Sequence, residues 1–349
     1  LASGIDAMPD MIAGASKTML FDQGAVIPLD DYLQYAPNLT NAMVPEDYLT
    51  WWREFFDGKI YAIPTIHDVP GSISYMVRAD WLKRVGKEIP TTWDELVDVL
   101  RAFKAQDANG DGDANNEIPF ALDNRFCLDG LMYIFGIMPS GDGQFCILPD
   151  KTYSVVYEHP NYQKYTEAVA MLYKEGLLDP EFAVPRNQDT LFQIMDNNTC
   201  GFTMTWAERA RISTEVNAEL IADAEWVCIP PIQGPDGAQM IRSRAKTVNL
   251  YYVTVGAEKR GKVEKILQFV NWIYSEEGNR LMNYGIEGVH YQVVDGKPVL
   301  VDPYITGFVA ARQAGLIHSP FIFNFLPDVY MQLLTGNLSY EEMTMPQQR

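Results

Sequence analysis

The chain has 349 residues, enough for two domains at roughly 100–200 residues each. Apolar residues make up 47% and charged residues 21%, so it can bury real cores and is not disordered by composition. Lys and Arg number 27 against 46 Asp and Glu, a formal charge of −19. No basic stripe offsets this balance, which excludes nucleic-acid binding and leaves no attraction to anionic lipid heads.

In chain order, the first strand signals are Lys59–Ile63 and Ile73–Val77. A helix starts at Pro90-Thr91-Thr92-Trp93-Asp94-Glu95, with Thr92 as N-cap and Glu95 closing a capping box. Behind it Trp93, Leu96, Val97, Leu100 and Phe103 repeat along one helical face. Ile118–Leu122 is the next strand, and Pro160 opens a helix carrying Tyr162, Tyr165, Val169, Leu172 and Tyr173, closed by Gly176. Strands are expected at Gly201–Thr205, Trp226–Ile229 and Leu250–Val255, and a last helix spans about Lys262–Tyr274 with Val263, Ile266, Leu267, Val270 and Ile273 buried. Short strands alternating with long helices give an α/β architecture. Without a linker between two domains, the chain is expected to cross between lobes near Ile73–Val77, near Asn249–Val255 and again at about Ala311.

Cys127, Cys146, Cys200 and Cys228 stand 19, 54 and 28 residues apart, with no C-x-x-C pair and hence no cysteine-based zinc site. Four cysteines permit two disulfides in three pairings; the reading favoured here is small buried hydrophobes. No apolar stretch is long enough to span a bilayer, and the first residues carry no signal-peptide pattern.

The most specific chemistry is Asp107-Ala108-Asn109-Gly110-Asp111-Gly112-Asp113-Ala114-Asn115-Asn116-Glu117. Oxygen side chains at positions 1, 3 and 5, glycine at 6 and a peptide carbonyl at 7 wrap alternate oxygens round one hard cation, as an EF-hand loop begins. The acid arrives at position 11 as Glu117 rather than at 12, and a strand follows instead of a second helix. The bland alternative is a solvated acidic turn. The expectation is one structural calcium ion on Asp107, Asn109, Asp111, Asp113 (through its carbonyl) and Glu117, with Asn116 as a sixth ligand.

There is no G-x-S-x-G, H-E-x-x-H, P-loop or Rossmann glycine fingerprint, and the four histidines form no i, i+4 pair. These absences lower the odds of catalysis without excluding it. Asp57-Gly58-Lys59-Ile60-Tyr61-Ala62-Ile63-Pro64, Arg78-Ala79-Asp80-Trp81-Leu82, Pro90-Thr91-Thr92-Trp93-Asp94-Glu95-Leu96, Ser275-Glu276-Glu277-Gly278 and Tyr284-Gly285-Ile286-Glu287-Gly288 follow one another over about 230 residues. Together they resemble the extracellular solute-binding proteins of ABC importers, the sugar-binding group called family 1. The cation-type loop running into Glu117-Ile118-Pro119-Phe120 is similar to a subgroup that includes alginate-binding proteins.

The resemblance implies a two-lobed, periplasmic-binding-protein-like α/β fold of type II, its lobes joined by crossing hinge strands. One lobe would hold residues 1–77 and 250–310, lacking an N-terminal βα unit; the other, 78–249 and 311–349, would carry the cation loop. It implies a carbohydrate ligand between the lobes, ABC permease subunits as partners, a monomer, and a place at the extracellular face of the membrane or in the periplasm. The lipid anchor of the family would precede Leu1 in a longer native protein.

Ligands of open α/β sheets bind beyond the carboxyl ends of strands. The candidates there are His67 and Asp68, then Asn124 and Arg125, then Trp206 with Arg209 behind it, and Tyr284 with Glu287 after the last helix. Trp206 is the expected stacking platform, because it leaves an apolar strand among polar residues, whereas Trp51, Trp52, Trp81, Trp93 and Trp272 fall in helical patterns. Asp68 and Arg125 could equally form an ion pair between lobes. The leading reading is a non-catalytic carbohydrate-binding protein; a carbohydrate-active enzyme and a ligand-sensing regulatory domain are the alternatives.

Overall fold

The computed structural model describes residues 7–13, 17–42, 53, 57–67, 73–122, 127–140, 144–184, 188–241, 247–302 and 324–325. The chain divides into two units, Leu1–Pro70 with Arg244–Gly336 and Gly71–Ser243 with Asn337–Arg349. The first two divisions precede the expected 77/78 and 249/250, because Ile73–Val77 pairs with strands of the second unit and Thr247–Val253 with strands of the first. The crossing expected at about Ala311 lies outside the described residues.

In the first unit the strands run in the order Met11–Ala13, Thr247–Val253, Ala62–His67, Asn324–Phe325; the outer pair at Asn324–Phe325 is parallel and the others antiparallel. Both faces are covered. Tyr251, Val253 and Ile63 turn to a core with Leu267, Val270 and Ile273 of the helix Val263–Ile273, while Leu250, Tyr252 and Ala62 turn to Leu20, Ala25 and Val26. Such strands read as continuous apolar runs because neither face meets water. The strand expected at Lys59–Ile63 instead runs through Pro64, which sits opposite Leu250 next to a register shift in the partner strand. The Pro64 carbonyl accepts from the Tyr274 hydroxyl at 2.8 Å, tying the helix end to the sheet. Thr254 ends the long strand by capping Val255–Lys259, its hydroxyl accepting from the Ala257 N–H at 3.1 Å.

The second unit is built on a sheet ordered Ile118–Phe120, Cys200–Trp206, Ile73–Arg78, Trp226–Ile229, the first pair parallel and the others antiparallel. A separate antiparallel meander joins Met138–Ser140, Phe145–Ile147 and Tyr153–Val155. The helix Trp93–Ala105 carries the expected box: the Thr92 hydroxyl accepts from the Glu95 N–H at 3.3 Å, and Glu95 accepts from the Thr92 N–H at 3.2 Å. All five residues of its expected face are buried. The helix Tyr162–Lys174 buries only Tyr165 and Leu172, and Tyr173 stays 53% exposed, lying over Phe182 at the surface. Cys146 and Cys200 are buried thiols outside any disulfide, and burial pushes the Cys200 thiol up to about 12.

The stretch Arg78-Ala79-Asp80-Trp81-Leu82 has a structural role. Arg78 is wholly buried and forks onto both Asp80 oxygens at 2.7 Å. Asp80 also accepts from Arg84 at 2.7 Å and from the Glu225 N–H at 3.1 Å. The Arg78 guanidinium lies against the Trp81 and Trp226 rings, 5.3 and 5.8 Å from their centroids. Burial alone would raise the Asp80 carboxyl; its bonds to Arg78, the Glu225 N–H and Arg84 outweigh burial and hold it below the usual carboxylate range.

Asp80→Asn leaves Arg78 buried without its counter-charge and is expected to lower stability by about 3–5 kcal/mol, read by denaturant melts. Because the folded-state pKa is depressed, the Asp80 contribution is present above the ordinary carboxylate pKa and lost as pH falls through the lowered value. The gap between wild type and variant should therefore close in acid. Gly201 is fixed by packing: a Cβ there would come 2.5 Å from Phe103 and 2.7 Å from Trp81. Gly201→Ala should cost about 1–3 kcal/mol in the same melts.

Candidate functional site

The loop after Trp93–Ala105 turns on Gly110 and Gly112, both in the left-handed region with φ of 75° and 93°. Its side chains fold inward over its own backbone. Asp107 accepts from the N–H groups of Gly110 and Gly112 at 2.9 and 3.0 Å, Asn109 from Asp111 at 3.0 Å, and Asp111 from Asp113 at 2.9 Å. Asn116 bridges Asn109 and Asp111, accepting from the Asn109 amide at 2.7 Å and donating to Asp111 at 2.6 Å. These bonds hold the Asp111 carboxyl low, that from Asn116 foremost. The expected oxygens at 107, 109, 111, 116 and 117 thus fall within one short loop. Among the described residues, however, no group of three or more His, Cys, Asp or Glu side chains is arranged to hold a metal ion.

Glu117 marks the fit to a cation. It is 4% exposed; its Oε1 accepts from the Ala108 N–H at 3.0 Å, while its Oε2 is buried without a hydrogen-bond partner. Burial pushes its carboxyl up. A buried carboxylate oxygen left bare costs about 1–3 kcal/mol or more, and a hard cation accepts such oxygens. Two contacts that sequence reasoning missed hold the loop from behind: Arg84 donates to the Ala108 carbonyl at 3.1 Å, and Asn198 to the Asn109 carbonyl at 3.3 Å.

The ligand candidates scatter more widely. Trp206 is the last residue of Cys200–Trp206 rather than the residue after it; it is half-buried and stands in register opposite Ile73. Ile118–Phe120 runs parallel to this strand, so both point toward the same end of the sheet, with Phe120 opposite Phe202 and Trp206 four residues further on. Asn124 and Arg125 follow Ile118–Phe120 but lie outside the described residues, as does Asp68; His67 ends Ala62–His67, its side chain undescribed. Arg209 and Tyr284 are packed rather than presented. Arg209 is buried, ion-paired to Asp196, its guanidinium 4.4 Å from the Phe192 ring centroid. Tyr284 is 3% exposed, its ring 5.6 Å from that of Tyr291. Both sit at helix ends, where sequence polarity does not report the partner that folding supplies. Glu287 is exposed and helps line a hollow of about 540 Å³ in the first unit with Glu276, Arg280, Ile286 and Tyr291. No helix among the described residues is long and apolar enough to cross a membrane.

Residues 2–280 match the model of the bacterial extracellular solute-binding proteins. The chain belongs to that family. A fructooligosaccharide ABC transporter substrate-binding protein of Streptococcus pneumoniae is 27% identical over 250 residues, covering 67% of this chain and 45% of the relative. A Bacillus subtilis lipoprotein is 24% identical over 311 residues, 85% of this chain and 59% of the relative. The chain thus spans about half the length of these curated relatives. The crystal structure of an alginate-binding protein without calcium ion superposes with a TM-score of 0.76 at 25% identity, covering 94% of this chain and 68% of that one. The architecture of this solute-binding family member is therefore the mixed α/β fold of two-lobed solute-binding proteins.

Glu117→Gln removes a buried carboxylate from the loop. In chelator the variant should melt at or above the wild type, and added calcium should raise its melting temperature far less. Equal calcium responses in a differential scanning experiment would remove Glu117 from the site.

Proposed function

We propose that this solute-binding protein captures a carbohydrate, in the oligosaccharide range, and delivers it to the permease of an ABC importer without chemically altering it. The observation that carries this reading is family membership joined to two glycan-binding relatives, named for fructooligosaccharide and for alginate. The −19 charge supports it as well, since a neutral glycan pays no electrostatic penalty there while nucleic acid would. In the second unit we assign the stacking role to Trp206, at the carboxyl end of Cys200–Trp206, with Asn124 and Arg125 as polar contacts; in the first unit, taken by itself, we assign polar contacts to His67, Asp68 and Glu287. An aromatic face covers the apolar face of a sugar ring, and flanking amides and charges bond its hydroxyls.

One calcium ion in the 107–117 loop belongs to the same reading, supported by the bare Glu117 oxygen and by the calcium-free state named for the alginate-binding neighbour. Asp107, Asn109, Asp111, the Asp113 carbonyl, Asn116 and Glu117 would hold it, and its charge would staple the helix Trp93–Ala105 to the strand Ile118–Phe120. Tethering to the outer face of the membrane by a lipid is the placement that fits a lipoprotein relative.

A thermal-shift screen over mono- and oligosaccharides identifies the ligand class, since a ligand bound only to the folded state raises the melting temperature as RT ln(1 + [L]/Kd). No shift with any glycan defeats the reading, and release of new reducing ends would turn it into a glycosidase. Trp206→Ala should weaken the best ligand by on the order of 2–4 kcal/mol in calorimetric titration while leaving the calcium-dependent melt in place. Equal affinities would move the platform elsewhere.

A further inference from the structure

Asn198 lies 89 residues after Asn109 of the cation loop, in the turn between the helix Gln188–Asp196 and the strand Cys200–Trp206. It is 5% exposed and held in the left-handed region at φ 61°. Its Oδ1 accepts from Arg78 at 2.5 Å and its Nδ2 donates to the Asn109 carbonyl at 3.3 Å. The orientation of this amide is dictated by chemistry: a guanidinium has donors only, so it takes the oxygen and leaves the NH2 facing the loop. Arg78 in turn is fixed by both Asp80 oxygens. Arg84, bound to Asp80 and Asp223, donates to the neighbouring Ala108 carbonyl and lies under Gly110, whose Cβ would come 3.0 Å from its guanidinium.

We infer that Asn198, oriented by Arg78, is a positioning residue for the cation loop: it holds the Asn109 peptide from outside so that the wholly buried Asn109 side chain and its neighbours converge on the ion. The inference rests on the calcium reading above. Two consecutive loop carbonyls, at 108 and 109, are taken by donors outside the loop, so those peptides cannot rotate to offer their oxygens to the ion or to collapse the turn. The carboxylates of Asp80 and Asp223 accept from the two arginines, so this support does not set uncompensated positive charge beside the cation. Groups that orient metal ligands from outside the coordination sphere commonly contribute about ten- to a hundred-fold in metal affinity.

Asn198→Asp is the selective test. It keeps an acceptor for Arg78 but points a second carboxylate oxygen, instead of an NH2, at the Asn109 carbonyl. Calcium titrated calorimetrically into chelator-stripped protein should bind about ten-fold more weakly or worse, while the melting temperature in chelator falls only by the cost of one unpaired buried oxygen and the variant stays folded at the titration temperature. Asn198→Gly accepts the left-handed backbone, removes both bonds and serves if the aspartate variant does not fold; it too should bind calcium about ten-fold more weakly. Asn217→Ala is the control, because Asn217 bonds Trp226 at 3.0 Å and reaches Arg78 at 3.5 Å but has no bond to the loop. It should lower the melt without changing calcium affinity. Wild-type calcium affinity in both Asn198 variants overturns the inference and leaves calcium standing. A wild-type protein that takes up no calcium overturns the calcium reading, and the inference with it.

Discussion

A guanidinium with no access to water organises the second unit. Arg78 ends a central strand, where its five N–H groups must all be met inside the protein. Asp80 meets the fork from the first turn of the next helix, Asn198 from a turn and Asn217 from the end of the helix Glu208–Asn217, and two indole rings close over it. Beyond Asp80 and Trp81 of the adjoining helix, the partners come from distant parts of the chain, so one charge fixes the relative positions of strand, helices and turn. A pair of apolar residues of the same volume could contribute as much stability, but it would not dictate which way an asparagine amide faces.

That dictated direction connects the core to the candidate site. The strand Cys200–Trp206 begins two residues after Asn198 and ends on Trp206. The cation loop runs directly into Ile118–Phe120, the parallel neighbour of that strand, with Ile118 opposite Cys200 and its N–H bonded to the Thr199 carbonyl at 2.8 Å. Loop, turn and the starts of both strands form one hydrogen-bonded block. Whatever orders the loop steadies the strands at one end, and the proposed sugar platform stands at the other.

How much of this was legible depended on how local the cause was. The Thr92–Glu95 box and the face behind it involve neighbours in sequence, and Thr92, Glu95 and the five apolar residues all stand as expected. The loop was legible for the same reason, since its glycines and oxygens lie within eleven residues. The run of Ala62–His67 past Ile63 was not, because Pro64 reads as a boundary until the Tyr274 hydroxyl and a shifted partner strand are in place. Arg209 and Tyr284 carried polar and aromatic character suited to a ligand, and nothing in their own segments announced Asp196, Phe192 or Tyr291. Asn198 was the least legible of all. Its signal, an asparagine tolerant of the left-handed region just past a helix, marks a turn and says nothing of a carbonyl 89 residues away.

The departure of the loop from the EF-hand pattern follows from what surrounds it. In a helix–loop–helix pair the last ligand belongs to the first turn of the exiting helix, and spacing by helical turn places it at position 12. Here the exit is a strand, in which successive side chains alternate between faces. Ile118 leads that strand, half-buried, with Phe120 buried on the same face, so position 12 is claimed by packing. An acid that is to reach back into the loop must then stand one residue earlier, before the pairing begins. Glu117 does so, and its bond to the Ala108 N–H brings the end of the loop back against its start. The irregular spacing is what an oxygen-lined turn requires when it must hand the chain to a sheet instead of a helix.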